Sequence, residues 1–241
     1  MNKIKISAVA YTNTKPFIYG ISHSAVLDKI DLSLDIPSDC AAKLIDGTVD
    51  VGLIPVAAIP GVTDAHIISD YCIGSVGAVN SVFIFSNVPV TEIKSVRLDR
   101  ESRTSNNLAK VLLKFHFKQE VTFTTDLDAV TDAIVLIGDR TFGKKDDYAF
   151  WYDMGEEWMK FTGLPFVYAA WVANKPIPED FVTEFNAALK MGLASRAAVI
   201  ATLPEHAHFD VADYLMHKLD FDLTEKKREA LTLFLSLIKQ L

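Results

Sequence analysis

The sequence predicts an α/β protein of two lobes, and three features of the 241-residue chain predict it. Apolar strands alternate with amphipathic helices in two successive series, over residues 4–73 and 82–137. Two extended apolar stretches, 82–85 behind a glycine-spaced run and 166–172, stand where the chain would cross between the lobes. Past Pro176 and Pro178 the pattern is helical to the end.

Ile4 and Ile6 alternate with Lys3, Lys5 and Ser7, and Ala8, Val9 and Ala10 complete a first strand. A polar turn from Tyr11 to Pro16 follows, with Asn13 or Thr14 as N-cap, Pro16 in the first helical turn, and Phe17, Ile18 and Ile21 as the buried face. Strand, polar turn and helix together present side chains at the carboxyl edge of a parallel sheet, where ligands bind. A second strand over 32–36 leads to Pro37. Ser38 then caps a helix that buries Ala41, Leu44 and Ile45 and ends at Gly47. The strand 49–54, a buried helical turn over 55–59 and an extended stretch up to Ile73 complete the first series.

The run 74–81, with Gly74 and Gly77, admits a crossing strand or a hinge, and the hinge is the preferred reading. Strands over 82–85 and 94–98 lead to Ser102-Arg103-Thr104-Ser105, which opens a helix with Leu108, Val111, Leu112 and Phe115 on one face. Thr104 or Ser105 is its expected N-cap, and the free amides of its first turn, beside these hydroxyls and Arg103, make a seat for a carboxylate or phosphate. Strands over 121–124 and 133–137 follow. Asp139, just past the second, either faces a cleft or caps the next turn. Asp153 caps a short helix that Gly163 stops, and Glu156 and Glu157 suit its dipole. Helices over 179–200 and 211–219, and a last one capped by Thr224 with Ala230, Leu231, Phe234, Leu237 and Ile238 as its buried stripe, pack back on the first lobe. The first lobe is thus expected to hold residues 1–80 plus 175–241, and the inserted lobe 81–174. This is the layout of a two-lobed, type II periplasmic-binding-protein-like fold, with its ligand cleft between the lobes.

Composition narrows the function. Lys and Arg number 24 against 31 Asp and Glu, and a net charge of −7 argues against nucleic acid as a partner. It also gives an anionic ligand no long-range attraction, so helix ends and hydroxyls must hold one locally. Cys40 and Cys72 lack the spacing of a zinc or redox pair and are expected in the core. No apolar run reaches the length of a signal peptide or a membrane span, which predicts a cytoplasmic protein with no membrane partner. Motifs for a catalytic serine, a zinc protease, a dinucleotide or a P-loop are missing. The six histidines, His23, His66, His116, His206, His208 and His217, read as structural or solvated.

Six motifs then fall in order: Tyr11-Thr12-Asn13-Thr14-Lys15-Pro16, Pro37-Ser38-Asp39-Cys40-Ala41, Asp50-Val51-Gly52-Leu53-Ile54-Pro55-Val56, Asp99-Arg100-Glu101-Ser102-Arg103-Thr104-Ser105, Tyr152-Asp153-Met154-Gly155-Glu156-Glu157-Trp158 and Gly163-Leu164-Pro165-Phe166. In these the chain resembles the MqnA family, the chorismate dehydratases of menaquinone biosynthesis by the futalosine route. Thr12 departs from the family's usual aliphatic residue, and Asn80 stands where glycine or a variable residue is common. The resemblance implies a cytoplasmic carbon–oxygen lyase on the two-lobed fold that needs no metal or organic cofactor. Its small-molecule substrate would be chorismate, and loss of water would give 3-[(1-carboxyvinyl)oxy]benzoate. Carried over by motif, Asn13 and Ser81 would be the catalytic residues. Tyr11, Thr14, Asn80, Ser102, Arg103, Thr104, Ser105 and Asp139 would bind substrate. Because orientation and aromatisation can supply most of the driving force, the substrate's own enolpyruvyl carboxylate is the expected base, with Asp139 as its rival. Two other readings remain: a 1,4-dihydroxy-6-naphthoate synthase, disfavoured because the loop after the first strand lacks histidine, and a non-catalytic cytoplasmic binding protein for a small carboxylate.

Overall fold

A computed structural model describes residues 3–241. In chain order the first series is β1 (Ile4–Val9), α1 (Lys15–Ser22), α2 (Val26–Lys29), β2 (Ile30–Asp35), α3 (Pro37–Ile45), β3 (Val51–Pro55) and β4 (His66–Ser75). The second is β5 (Val82–Ser86), β6 (Ser95–Arg97), α4 (Arg103–Val111), β7 (Thr122–Thr124), β8 (Ala133–Ile137), β9 (Phe150–Asp153) and α5 (Met154–Thr162). The chain returns through β10 (Phe166–Ala173) to α6 (Glu179–Ala194), α7 (Arg196–Ile200), α8 (Val211–Asp213), β11 (Asp220–Asp222) and α9 (Glu225–Ile238).

Two mixed sheets result, one of six strands in the order β11-β4-β10-β3-β1-β2 and one of five in the order β7-β6-β8-β5-β9. β1 pairs in parallel with β2 and β3, whereas β10 runs antiparallel between β3 and β4. Every residue of β3 and β10 is buried, as expected of central strands covered on both faces. β10 therefore belongs to the first sheet, and the chain re-enters it at Phe166, ahead of the boundary expected after 174.

Aromatic contacts lock the helices onto this sheet. Phe17 of α1 meets Trp171 of β10 and Phe221 of β11 edge-on, at centroid distances of 5.9 and 5.3 Å, and Trp171 meets Phe185 of α6 at 5.0 Å. At the other end Trp158 of α5 packs on Phe166 and Phe234, joining the inserted unit to β10 and α9. α1 and α6 cross with their backbones touching. A β-carbon on Gly20 would fall 2.0 Å from the Ala188 carbonyl oxygen, and one on Gly192 would fall 2.0 Å from that of Pro16. Lys227 of α9 is buried and donates to the carbonyls of Asp220 and Asp222 at 2.6 and 2.7 Å, fastening β11 to the sheet edge. Cys40 and Cys72 are buried, and burial pushes both thiols up to about 11.

Several local expectations are corrected. Thr14 is the N-cap residue of α1, one of the two expected, but its hydroxyl makes no capping bond and donates to Asn13 Oδ1 at 3.1 Å instead. Pro37 opens α3, so Ser38 lies inside the helix, and the side-chain cap of α4 is Ser102 rather than Thr104 or Ser105. The helix expected over 179–200 breaks at Ser195, and 211–219 holds α8 followed by a wide turn, 214–218. β9 and β11 were not foreseen, since one follows a charged stretch and the other is three residues long with an acid at each end. The run 74–81 divides: Gly74 and Ser75 finish β4, and residues 76–81 cross to the other sheet with Gly77 and Asn80 at φ +81° and +61°.

Asp153 fixes that crossing. Its buried carboxylate accepts the amides of Val79 and Asn80 from the loop, at 3.1 and 2.6 Å, and those of Gly155 and Glu156 from α5, at 2.9 and 3.2 Å. Burial pushes its pKa above the usual carboxylate value, and the four amides oppose that rise. Asp153→Ala leaves these donors unpaired and removes a helix cap, so urea denaturation should show a loss of about 2–4 kcal/mol. Asp35 behaves oppositely. Burial alone would raise its pKa, but hydrogen bonds from Lys43, Ser33 and Ser7 outweigh it and hold the carboxyl below the usual range. A depressed folded pKa means this contribution is complete above the unfolded value of about 3.9 and is lost as pH falls through the folded one. Urea midpoints followed below about pH 5 should therefore drop more steeply for the wild type than for Asp35→Asn.

Candidate active site between the two sheets

The carboxyl ends of β1 and β8, the start of β5 and the N-terminus of α4 converge on a cavity between the sheets. It encloses about 520 Å³, its mouth included. Asn13 and Thr14 enter from the tight turn Thr12–Thr14 after β1, Ser81 from the crossing, Ser102 and Ser105 from the first turn of α4, and Tyr168 from β10. The remaining wall is apolar and includes Val9, Ile73, Ile137 and Leu219. Among the described residues that line it there is no Asp, Glu, His, Lys or Arg.

Each polar group is held by a neighbour. Ser102 Oγ accepts the Ser105 amide at 3.1 Å and donates to Ser105 Oγ at 2.9 Å, so the two hydroxyls form one unit at the head of α4. The amides of Arg103 and Thr104 lie in the first turn, where a helix supplies no internal acceptor. Ser75 and Tyr168 share a hydrogen bond of 3.3 Å, and burial raises the Tyr168 pKa well above its ordinary value.

Contacts between the two units close the rim. The Tyr11 hydroxyl donates to Glu101, which lies 3.3 Å from Arg140, and Arg140 in turn donates to Asp99 at 2.9 Å. Burial, reinforced by Glu101, pushes the Tyr11 pKa up. The Thr12 hydroxyl donates to Asp139 at 2.9 Å and its amide does so at 3.2 Å, while the Ala57 amide donates to Thr104 Oγ at 3.2 Å. Gly138 has φ +60°, and a β-carbon there would fall 2.8 Å from the Tyr11 ring.

Of the residues expected at the site, the structure brings together Tyr11, Asn13, Thr14, Ser81, Ser102 and Ser105 around the cavity. Four lie elsewhere. Arg103 is exposed, Thr104 is turned toward Ala57, and Asp139 is an exposed residue holding Thr12 at the rim. Asn80 accepts from Lys145 Nζ at 3.1 Å beside a separate outer pocket. Sequence reasoning missed Tyr168, hidden within an apolar strand, and Tyr214, hidden in a helical stretch. Both phenols are buried, and Tyr214 shares a 2.8 Å hydrogen bond with Ser81. Among the described residues no cluster of His, Cys, Asp or Glu is arranged to hold a metal ion, and no helix is long and apolar enough to cross a membrane.

A family model described as menaquinone biosynthesis matches residues 4–240. The chain belongs to the menaquinone biosynthesis family. A role in menaquinone synthesis goes with that membership. Solved structures similar to this family member share its architecture at low identity. A structural-genomics protein from Archaeoglobus fulgidus is 13% identical, with 99% of this chain and 97% of that one covered at a TM-score of 0.74. A Candida albicans gene product described as having the generic periplasmic binding protein fold is 11% identical, with 100% and 91% covered at 0.70. The alkanesulfonate-binding protein SsuA from Xanthomonas axonopodis pv. citri, bound to MOPS, is 13% identical, with 100% and 93% covered at 0.66. At these identities the likeness concerns the fold, which is the periplasmic-binding-protein architecture expected from the sequence.

Gly138→Ala tests the rim. The added methyl meets the Tyr11 ring, and a left-handed alanine costs about 1–2 kcal/mol. The variant should melt at lower temperature, and hydrogen exchange at the amides of residues 12–14 should quicken as the Tyr11–Glu101 contact loosens.

Proposed function

We propose that this family member is a chorismate dehydratase, a cytoplasmic carbon–oxygen lyase that converts chorismate into 3-[(1-carboxyvinyl)oxy]benzoate and water. The observation that carries the reading is the convergence of hydroxyl and amide donors from both units on one apolar-walled cavity, in a family devoted to menaquinone synthesis. Chorismate carries one carboxylate on its ring and a second on its enolpyruvyl ether. The heads of α3 and α4, where Pro37, Ser102 and Ser105 line the cavity, favour negative charge without a side-chain cation.

The reaction is redox-neutral and balances internally. The hydrogen on the ring carbon bearing the enolpyruvyl ether leaves as a proton, and its electron pair forms the last ring double bond. The adjacent carbon–hydroxyl bond breaks with its pair on oxygen. Aromatisation favours the products, so the protein's main task is orientation, which can lower a barrier by about 7–11 kcal/mol. With no carboxylate, imidazole or amine side chain among the described lining residues, and with both lining phenols pushed up by burial, the substrate's enolpyruvyl carboxylate is the base. It passes the proton to the departing hydroxide, which leaves as water and restores the carboxylate. Asn13 and Ser81 hydrogen-bond the reacting region, and the Ser102–Ser105 unit seats a carboxylate.

Incubation with chorismate should produce a new aromatic absorbance as substrate disappears. Asn13→Ala should lower kcat/KM by about 10²–10³, the usual effect of deleting one oriented donor. Asp139→Asn, which keeps an acceptor for Thr12, should remain within about tenfold of wild type. Near-complete loss in Asp139→Asn with binding intact would make Asp139 the base. Binding of chorismate without turnover would favour the non-catalytic reading.

A further inference from the structure

Tyr214 lies behind the cavity wall and carries the only phenol proton aimed at Ser81 among the described contacts. It begins the wide turn 214–218, in which the Leu219 amide reaches the Tyr214 carbonyl at 3.1 Å, five residues back. Such turns recur at functional sites because they displace one side chain from the regular helical path. Arg196 anchors this one by donating to the Leu215 carbonyl at 3.1 Å. Phe142 of the inserted unit and Phe209 stack on each other at 3.6 Å, and the Tyr214 ring packs edge-on against this pair at 5.9 and 5.3 Å. With 1% of its surface exposed, Tyr214 must place its hydroxyl proton on a protein acceptor.

The surrounding groups dictate where. Among the described contacts Ser81 Oγ, at 2.8 Å, is the hydrogen-bond partner of the phenol, and a hydroxyl oxygen can accept. The phenol proton therefore goes to Ser81 Oγ, and the Ser81 proton is left for the cavity that Ser81 lines. We propose that Tyr214 is a positioning residue whose hydroxyl donates to Ser81 Oγ, so that Ser81 meets the substrate as a hydrogen-bond donor. The proposal rests on the dehydratase reading for its kinetic consequence: the donated hydrogen bond falls on the departing hydroxyl, where negative charge builds as the carbon–oxygen bond breaks. Its structural part concerns only how the Ser81 hydroxyl, already at the cavity, is oriented.

The test is Tyr214→Phe, which keeps the aromatic packing and deletes one oxygen, in a cycle with Ser81→Ala. In the wild-type background kcat should fall by about tenfold to a hundredfold, with KM for chorismate within about threefold, because the lost interaction forms in the transition state. In the Ser81→Ala background the same change should have no further effect on kcat, since a relay with no terminus carries nothing. An equal loss in both backgrounds, or a rise in KM with kcat unchanged, overturns the proposal. A crystal structure of Tyr214→Phe gives a readout independent of turnover: Ser81 Oγ should leave its present rotamer to find a new partner, whereas an unmoved Ser81 overturns the proposal. Absence of wild-type turnover would reject the dehydratase reading, and the Ser81 rotamer would still decide the relay.

Discussion

Four backbone amides converge on the carboxylate of Asp153, and the arrangement of the cavity depends on that convergence. Two belong to the segment crossing from the first sheet to the second and two to the helix that follows β9. One buried anion thus sets where the crossing ends and where α5 begins. Ser81 follows the second of the bound loop amides, so its position in the cavity is inherited from this joint. The left-handed backbone at Asn80 is held by the same contact. A buried carboxylate without partners would be prohibitively unfavourable, and its saturation by backbone donors makes it a rigid structural element.

From that joint outward, the site is organised by dipoles and hydroxyls. An apolar enclosure strengthens each hydrogen bond within it, because little water remains to compete for donors or to screen partial charges. Formal charges are kept to the rim, where Arg140 is balanced by Asp99 and Glu101 and where Asp139 engages Thr12. On the proposed dehydratase reading, a chain with net charge −7 holds a doubly acidic compound only where local donors outweigh the long-range repulsion, and the heads of α3 and α4 are the donors that line the cavity.

Much of this architecture was legible in the residues. The alternation of Ile4 and Ile6 with Lys5 and Ser7 at the start of β1, the amphipathic face of α4, and Asp153 with Gly163 bracketing α5 are local signals, and local signals survive folding. The six cavity residues foreseen, Tyr11, Asn13, Thr14, Ser81, Ser102 and Ser105, sit in or beside strand-end loops, where topology alone sends side chains toward a cleft. What escaped notice depends on distant partners. β11 forms because Lys227 gathers its carbonyls, although nothing in Asp220-Phe221-Asp222 announces a strand. Tyr214 lies far along the chain from Ser81, and Thr104 and Asp139 were misplaced because their partners, Ala57 and Thr12, come from the other unit. Side-chain direction at such positions is a tertiary property.

The touching backbones of α1 and α6 restrict how this sequence can drift. Where two bulky side chains meet, growth of one is often accommodated by shrinkage of the other. At Gly20 and Gly192 both partners are already at the minimum, so neither can yield to the other. Each position is barred from change on its own account, and the loop carrying Asn13 keeps its place relative to β10 through every neutral substitution elsewhere on those helices.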